Sequence, residues 1–210
     1  MMYLIGLTGN IATGKSLVAR MLSDLGAHVI DADALVHELQ RKGTPVWAGI
    51  VGKFGEEILR ADGEIDRARL GALVFSDPEA LHRLESIVHP AVGAEIEQQL
   101  ADLGPSASDF QVVVIEAIKL IEAGLHERCN ALWVVTSRPE VQLKRLMRTR
   151  GLSEADAQVR IAAQPPQSEK VALADVLIEN DTTVSDLRAQ VVRHWKRVQV
   201  ATHLGGASQP

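Results

Sequence analysis

Hydrophobic residues gather in five short runs along the chain, at 3–8, 27–30, 111–117, 131–136 and 175–178, each rich in Val, Ile and Leu. Three of these runs are almost uninterrupted, without the alternation of a half-exposed strand. That is how strands covered on both faces look. Between them the apolar spacing turns helical, and the start signals are legible. Pro90 sits just inside a run from His89 to about Leu103, a favoured first-turn position. Ser137 and Pro139 open a run with Val141, Leu143, Leu146 and Met147 on one side, and Ser153 with Asp156 has capping-box spacing before Val159 and Ile161. Strand and helix in alternation predict an α/β fold with a mostly parallel sheet of five strands.

One stretch departs from that rhythm. From Asp33 to Leu103 the pattern is helical throughout, broken at Gly43-Thr44-Pro45, Ala61-Asp62-Gly63 and Ser76-Asp77-Pro78. A crossover between parallel strands needs only a dozen or so residues, so this stretch is an inserted helical subdomain. The expected organisation is a nucleotide-binding core over 1–32 and 111–200, with a small helical lid at about 138–170. A helical insertion occupies 33–110, and a flexible tail is expected over 201–210, where residues are small and polar.

Composition narrows the picture. The chain has 210 residues, 46% hydrophobic and 23% charged, with a formal net charge of -5. This excludes a disordered chain, a collagen and a highly basic nucleic-acid binder. The lone cysteine, Cys129, excludes an intramolecular disulfide. No run approaches the roughly 18 apolar residues of a membrane helix, and the apolar N-terminus reads as a buried strand, not a signal peptide. A cytoplasmic protein without nucleic-acid or membrane partners is expected, as monomer or small homo-oligomer. Only 3% of residues are aromatic, so the core must be aliphatic and few residues can stack on a base.

The strongest chemical signal is Gly9-Asn10-Ile11-Ala12-Thr13-Gly14-Lys15-Ser16, which fits G-x-x-x-x-G-K-[ST] between a strand and a helix. Its glycines allow successive N–H groups to face phosphate oxygens, and the helix that follows adds its positive end. Lys15 is expected to reach the β- and γ-phosphates and the Ser16 hydroxyl to ligate Mg²⁺, with ATP as the nucleotide. No guanine-reading Asn/Thr-Lys-x-Asp motif follows a late strand, which speaks against a GTP switch. Glu116 ends an apolar strand; it either approaches the metal through its water shell or is simply the charged end of a buried strand.

Charge asymmetry favours a small-molecule kinase. Between Arg138 and Lys170 there are seven basic and four acidic residues, so this segment is positive within an acidic chain. Lys144, Arg145, Arg148 and Arg150 form its tightest cluster. It is either a solvated helix face or a lid that closes over phosphates, and the breaks at Gly151 and Ser153 favour a lid. An acceptor hydroxyl also needs a carboxylate to orient it. Asp31-Ala32-Asp33 follows the second strand directly, at the end of the sheet where α/β folds bind ligands. Helix capping accounts for one of these aspartates, Asp33 before Ala34, but not for both.

Taken together these residues resemble the dephospho-CoA kinases over about residues 3–200. The resemblance rests on Gly6-Leu7-Thr8-Gly9 with Gly14-Lys15-Ser16, Val29-Ile30-Asp31-Ala32-Asp33, Asp66-Arg67 with Leu70 and Phe75, Leu84-Glu85 and His89-Pro90. Later blocks are Gln142 with Arg145 and Arg148, Gln164, and Ala174-Asp175 with Ile178 and Asn180. It implies an ATP-dependent kinase that phosphorylates the ribose 3′-hydroxyl of dephospho-CoA, with Asp33 as base and Asp31 and His89 beside the acceptor. It further implies Arg145 and Arg148 on phosphates and Asn180 near the adenine. His89-Pro90 has an alternative reading as a helix entry. Two positions depart from the family pattern: Leu17 replaces a threonine after the loop serine, and Ile118-Lys119-Leu120-Ile121-Glu122 replaces a Pro-Leu-Leu…Glu run. Lys119 either pairs with phosphate or Glu122, or is an exposed neighbour of the strand end. The rival functions are a kinase of the same fold for a nucleoside monophosphate or shikimate, and a nucleotide-binding regulatory protein.

Overall fold

The computed structural model of the chain describes residues 2–104 and 111–205. In chain order its elements are β1 (Met2–Thr8), α1 (Lys15–Asp24), β2 (His28–Asp31), α2 (Ala32–Leu39), α3 (Pro45–Phe54), α4 (Arg67–Ser76) and α5 (Pro78–Leu103). There follow β3 (Gln111–Glu116), β4 (Ala131–Thr136), α6 (Pro139–Arg150), α7 (Glu154–Ala162), α8 (Gln167–Ala172), β5 (Val176–Glu179) and α9 (Val184–Gly205). All five expected strands form, each within one residue of its apolar run. The expected tail begins as the end of α9 through residue 205; residues 206–210 lie outside the described ones.

The strands make one sheet in the order β2-β3-β1-β4-β5, with β1 parallel to β3 and β4, and β4 parallel to β5. The register pairs Leu7 with Glu116 and with Trp133, which brings the end of β1 level with the acidic end of β3. The strand order reverses at β1, so its carboxyl end opens at the topological switch of the sheet. Every residue of β4 is buried, as are five of the six in β3, which accounts for their unbroken apolar sequence. On one face Ile5, Leu7, Val114 and Trp133 pack with Val18 and Leu22 of α1 and with Leu187 and Val191 of α9.

The chain separates into two compact units, Asp31–Gly104 being one and the remaining residues the other. In the helical unit the expected breaks are real boundaries: Thr44 caps α3 with Pro45 at its first position, and Asp77 caps α5 ahead of Pro78. Leu59 and Ile65 form a small antiparallel bridge across the Asp62-Gly63 turn. One expectation needs correction. His89-Pro90 does not start a helix; Pro90 lies inside the 26-residue α5. A mid-helix proline removes one backbone bond and crowds the carbonyl four residues earlier, at a cost of about 3 kcal/mol. The apolar stripe of Ala80, Val88, Val92 and Ile96 runs across it unbroken. Packing of that stripe with α2, α3 and α4 keeps the two halves one helix.

Candidate active site

The loop Gly9–Ser16 leaves the buried end of β1 and runs into α1. Gly14 has φ +99°, and a Cβ placed on it would lie 2.1 Å from Nδ2 of Asn180. Both facts require glycine there. Ala12 also takes a left-handed φ of 60°, a conformation that costs an L residue roughly 1–2 kcal/mol. The strain is offset by an unusually dense set of bonds. Asn180 Nδ2 donates to the carbonyl of Thr13 at 2.7 Å, inside the protein. Arg145 Nη1 donates to the carbonyls of Ala12 and Thr13, both at 3.1 Å, while its Nη2 donates to the carbonyl of Asn180 at 2.8 Å. Burial pushes the Arg145 guanidinium below its ordinary pKa, Asp181 opposes that shift and Arg148 adds to it. Arg148 itself is exposed on α6, as are Lys144 and Arg150.

A second cluster sits at the start of α1. Lys15 Nζ and Glu116 Oε1 are 2.8 Å apart, both nearly buried. The same carboxylate oxygen accepts from Ser16 Oγ at 2.7 Å. The expected phosphate lysine, metal-binding serine and strand-end acid therefore meet at one point, as the register of β1 with β3 requires. A carboxylate beside a hydroxyl offers oxygen ligands suited to a hard cation. Leu17, which stands where the family has threonine, follows on α1. Its side chain packs against the core, and its N–H donates to the carbonyl of Gly14 at 3.0 Å.

The α7–α8 connection closes on the same loop. Ile11 N–H donates to Gln164 Oε1 at 2.6 Å, and Asn10 Nδ2 donates to the carbonyl of Pro165 at 3.1 Å. Within α8 itself Lys170 is 3% exposed. Its Nζ donates to the carbonyl of Ile118 at 2.6 Å and lies 3.1 Å from Glu122 Oε1. Lys119 is exposed beside the strand end, as one of its two readings had it, and Lys170 is a cation that stands beside Glu122.

In the helical unit the two aspartates divide their work otherwise than expected. Asp31, not Asp33, caps α2, accepting from the N–H of Ala34 at 2.9 Å. Asp33 lies in the first turn of α2 and is half-buried; His89 is half-buried within α5. Ser137, whose Oγ accepts from Arg145 Nη1 at 3.3 Å and donates to the carbonyl of Asn180 at 3.0 Å, and Gln164 were not read as residues that support the loop, nor Lys170 as the buried cation beside Glu122. Gln164 alone carried a signal, as one of the resembling blocks.

A parallel sheet ordered β2-β3-β1-β4-β5, with a complete phosphate loop at the carboxyl end of its central strand, is the architecture of a P-loop kinase. The comparisons with known proteins specify which. The dephospho-CoA kinase family model matches residues 3–186. A dephospho-CoA kinase from Geobacter sulfurreducens is 45% identical over 93% of this chain and 98% of its own length. Among solved structures, a Thermus thermophilus protein superposes with a TM-score of 0.76 at 32% identity, covering 95% of this chain and 97% of its own. A dephospho-CoA kinase from Campylobacter jejuni gives a TM-score of 0.66 at 29% identity, with 94% and 98% covered. The chain belongs to the dephospho-CoA kinase family. Among the described residues, no helix is long and apolar enough to cross a membrane.

Proposed function

We infer that this protein transfers the γ-phosphoryl group of ATP to the ribose 3′-hydroxyl of dephospho-CoA, giving coenzyme A. The observation that carries the reading is the intact Gly9–Ser16 loop, with Glu116 bonded to both Lys15 and Ser16, in a chain matched to this family over 3–186. Phosphoryl transfer is catalysed chiefly by positioning and by stabilising charge on the transferred oxygens. Lys15 supplies a fixed cation for the β- and γ-phosphates. Asp33 orients the acceptor hydroxyl and takes its proton, while Asp31 performs the capping. Arg145 works on the nucleotide by holding the carbonyls of Ala12, Thr13 and Asn180, so the loop keeps its N–H groups turned to phosphate. Arg148, exposed on the α6–α7 hairpin, is the arginine placed to reach phosphate when that hairpin closes as a lid.

Mg²⁺ fits the Ser16 hydroxyl and the Glu116 carboxylate, and when bound it supplies neutralising charge to the phosphates. Ser16 and Glu116 are the residues that would hold the ion. The helical unit, with Asp31, Asp33 and His89, serves the acceptor, and the cytoplasm is where such an enzyme works. An acceptor panel with ATP tests the reading. Phosphorylation of dephospho-CoA, with the phosphate on the 3′-oxygen, is expected; turnover of AMP or shikimate but not dephospho-CoA would overturn the substrate. Slow ATP hydrolysis that no small molecule stimulates would favour a regulatory protein.

A further inference from the structure

The α6–α7 hairpin, which carries the exposed Arg148, Arg150 and Arg160, is rooted on the phosphate loop at both ends. Its near root is Arg145 on α6, whose Nη1 donates to the carbonyls of Ala12 and Thr13. Its far root is Gln164, two residues past α7, whose Oε1 accepts from the N–H of Ile11 at 2.6 Å. Beside it the carbonyl of Pro165 accepts from Asn10 Nδ2 at 3.1 Å. A carbonyl can only accept, so this bond fixes which way the Asn10 amide faces. Asn10 is 9% exposed, and its own carbonyl closes the turn of the loop by accepting from Thr13 Oγ1 at 2.9 Å. The loop is thus gripped at four consecutive residues, 10 and 11 from one root, 12 and 13 from the other.

Beyond these roots the polar bonds of the hairpin stay within it. Thr149 Oγ1 donates to the carbonyl of Arg145 at 2.7 Å, Ser153 Oγ to Asp156 Oδ2 at 2.6 Å, and Gln158 Nε2 to Glu154 Oε1 at 3.3 Å. After the far root the chain is stiff and anchored. Pro165 and Pro166 each fix φ, and Pro166 restricts Pro165 further. Helix α8 follows at once, and its Lys170 donates to the carbonyl of Ile118 at 2.6 Å. That carbonyl also accepts from Thr8 Oγ1, at the end of β1. Gln164 therefore sits between a segment tied to the sheet and a hairpin tied to itself.

We propose that Gln164 and Asn10 are positioning residues for the nucleotide: with Arg145 they fasten both roots of the hairpin to the phosphate loop, so that loop and lid take up ATP as one piece. Without the Gln164 bond the N–H of Ile11 loses its partner, and ATP itself must order the first half of the loop, which weakens binding. The loosened hairpin also closes less completely over the phosphates, and closure is what keeps water from the γ-phosphate. The inference rests on the reading of the protein as an ATP-dependent kinase, not on the choice of acceptor.

Equilibrium titration with Mg·ATP, followed by steady-state kinetics, tests this on the whole chain. Gln164→Met keeps the length of the side chain and removes the acceptor. It should weaken ATP binding on the order of 10-fold and raise severalfold the share of ATP lost to hydrolysis. KM for dephospho-CoA at saturating ATP, and the melting temperature of the nucleotide-free protein, should stay at the wild-type values. Asn10→Ala, which removes the donor to Pro165, should act in the same direction by roughly threefold. Gln158→Met, in the same hairpin but bonded only to Glu154 there, should leave ATP affinity unchanged. If Gln164→Met and Asn10→Ala both keep ATP affinity within about twofold of wild type, or if Gln158→Met loses as much as Gln164→Met, the inference fails while the kinase reading stands. A lowered melting temperature together with a raised KM for dephospho-CoA would overturn it as well, since the bonds would then hold the fold at large. If wild-type protein binds Mg·ATP but does not phosphorylate dephospho-CoA, the acceptor reading fails and the titration alone decides the inference. If it binds no ATP, both fail.

Discussion

Around the phosphate loop the cations are buried or half-buried and matched: Lys15 with Glu116, Lys170 with Glu122, and half-buried Arg145 against three backbone carbonyls. In the helical unit Arg41, Arg60 and Arg67 are exposed, and Arg67 leans on a histidine, not an acid. The difference separates two ways of setting a cation. The loop is prepared in advance by glycine geometry and internal bonds, so little ordering remains when phosphate arrives. The helical unit keeps these guanidiniums in water, where salt screens them. Substitutions on the loop side should therefore damage turnover or the fold, and those at the exposed arginines should spare the fold.

The sharpest break on the loop side is Lys15→Met. It removes the cation bonded to the Glu116 carboxylate and the charge meant for the γ-phosphate. Turnover should fall on the order of 10³-fold or more, as when a transition-state cation is lost in phosphoryl transfer. A fall of only a few-fold in a rapid-quench assay would show that the buried pair is structural.

Lys170→Met asks whether burial on that side carries stability. It strips Ile118 of one donor and leaves Glu122 without its cation, though Glu122 is about a third exposed and Thr8 Oγ1 still donates to the Ile118 carbonyl at 3.1 Å. A loss of about 1–3 kcal/mol in urea denaturation is expected. Unchanged stability would place Lys170 with the loosely paired cations of the helical unit.

The smallest effect concerns Cys129, whose thiol packs against the close approach at Gly6 and is pushed up to about 11 by burial. Alkylation at pH 7.5 should run roughly 10²-fold slower than at an ordinary thiol, because the thiolate is the nucleophile. The raised pKa means the rate should keep climbing as pH rises towards that value. Rapid labelling near neutral pH would show that this side of the sheet opens readily.

Much of this was readable from sequence because it is local. Uninterrupted Val-Ile-Leu runs can only be strands covered on both faces, and the loop octapeptide has one geometry. Thr44-Pro45 and Asp77-Pro78 announce helix starts whatever surrounds them. The remainder depends on neighbours distant in the chain. Arg145 and Arg148 are three residues apart on one helix and read alike, yet only the fold turns one onto the loop carbonyls and leaves the other outside. Lys170 and Glu122 are 48 residues apart, so no local pattern pairs them. Pro90 reads as a helix start by local preference, and a continuous buried stripe overrides it. Asp33 reads as the cap until the last residue of β2 is fixed at Asp31, which then takes that position.

The proposed division of labour between a nucleotide loop and an acceptor-serving helical unit is tested most directly by Asp33→Asn, with turnover and ATP affinity measured on the same preparation. The side chain keeps its size and loses its ability to take a proton. Turnover with dephospho-CoA should fall by about 10²–10⁴ while KM for ATP stays at the wild-type value, since the base acts on the chemical step alone. Near-normal turnover, or a loss of ATP affinity that accounts for the fall, would contradict the assignment.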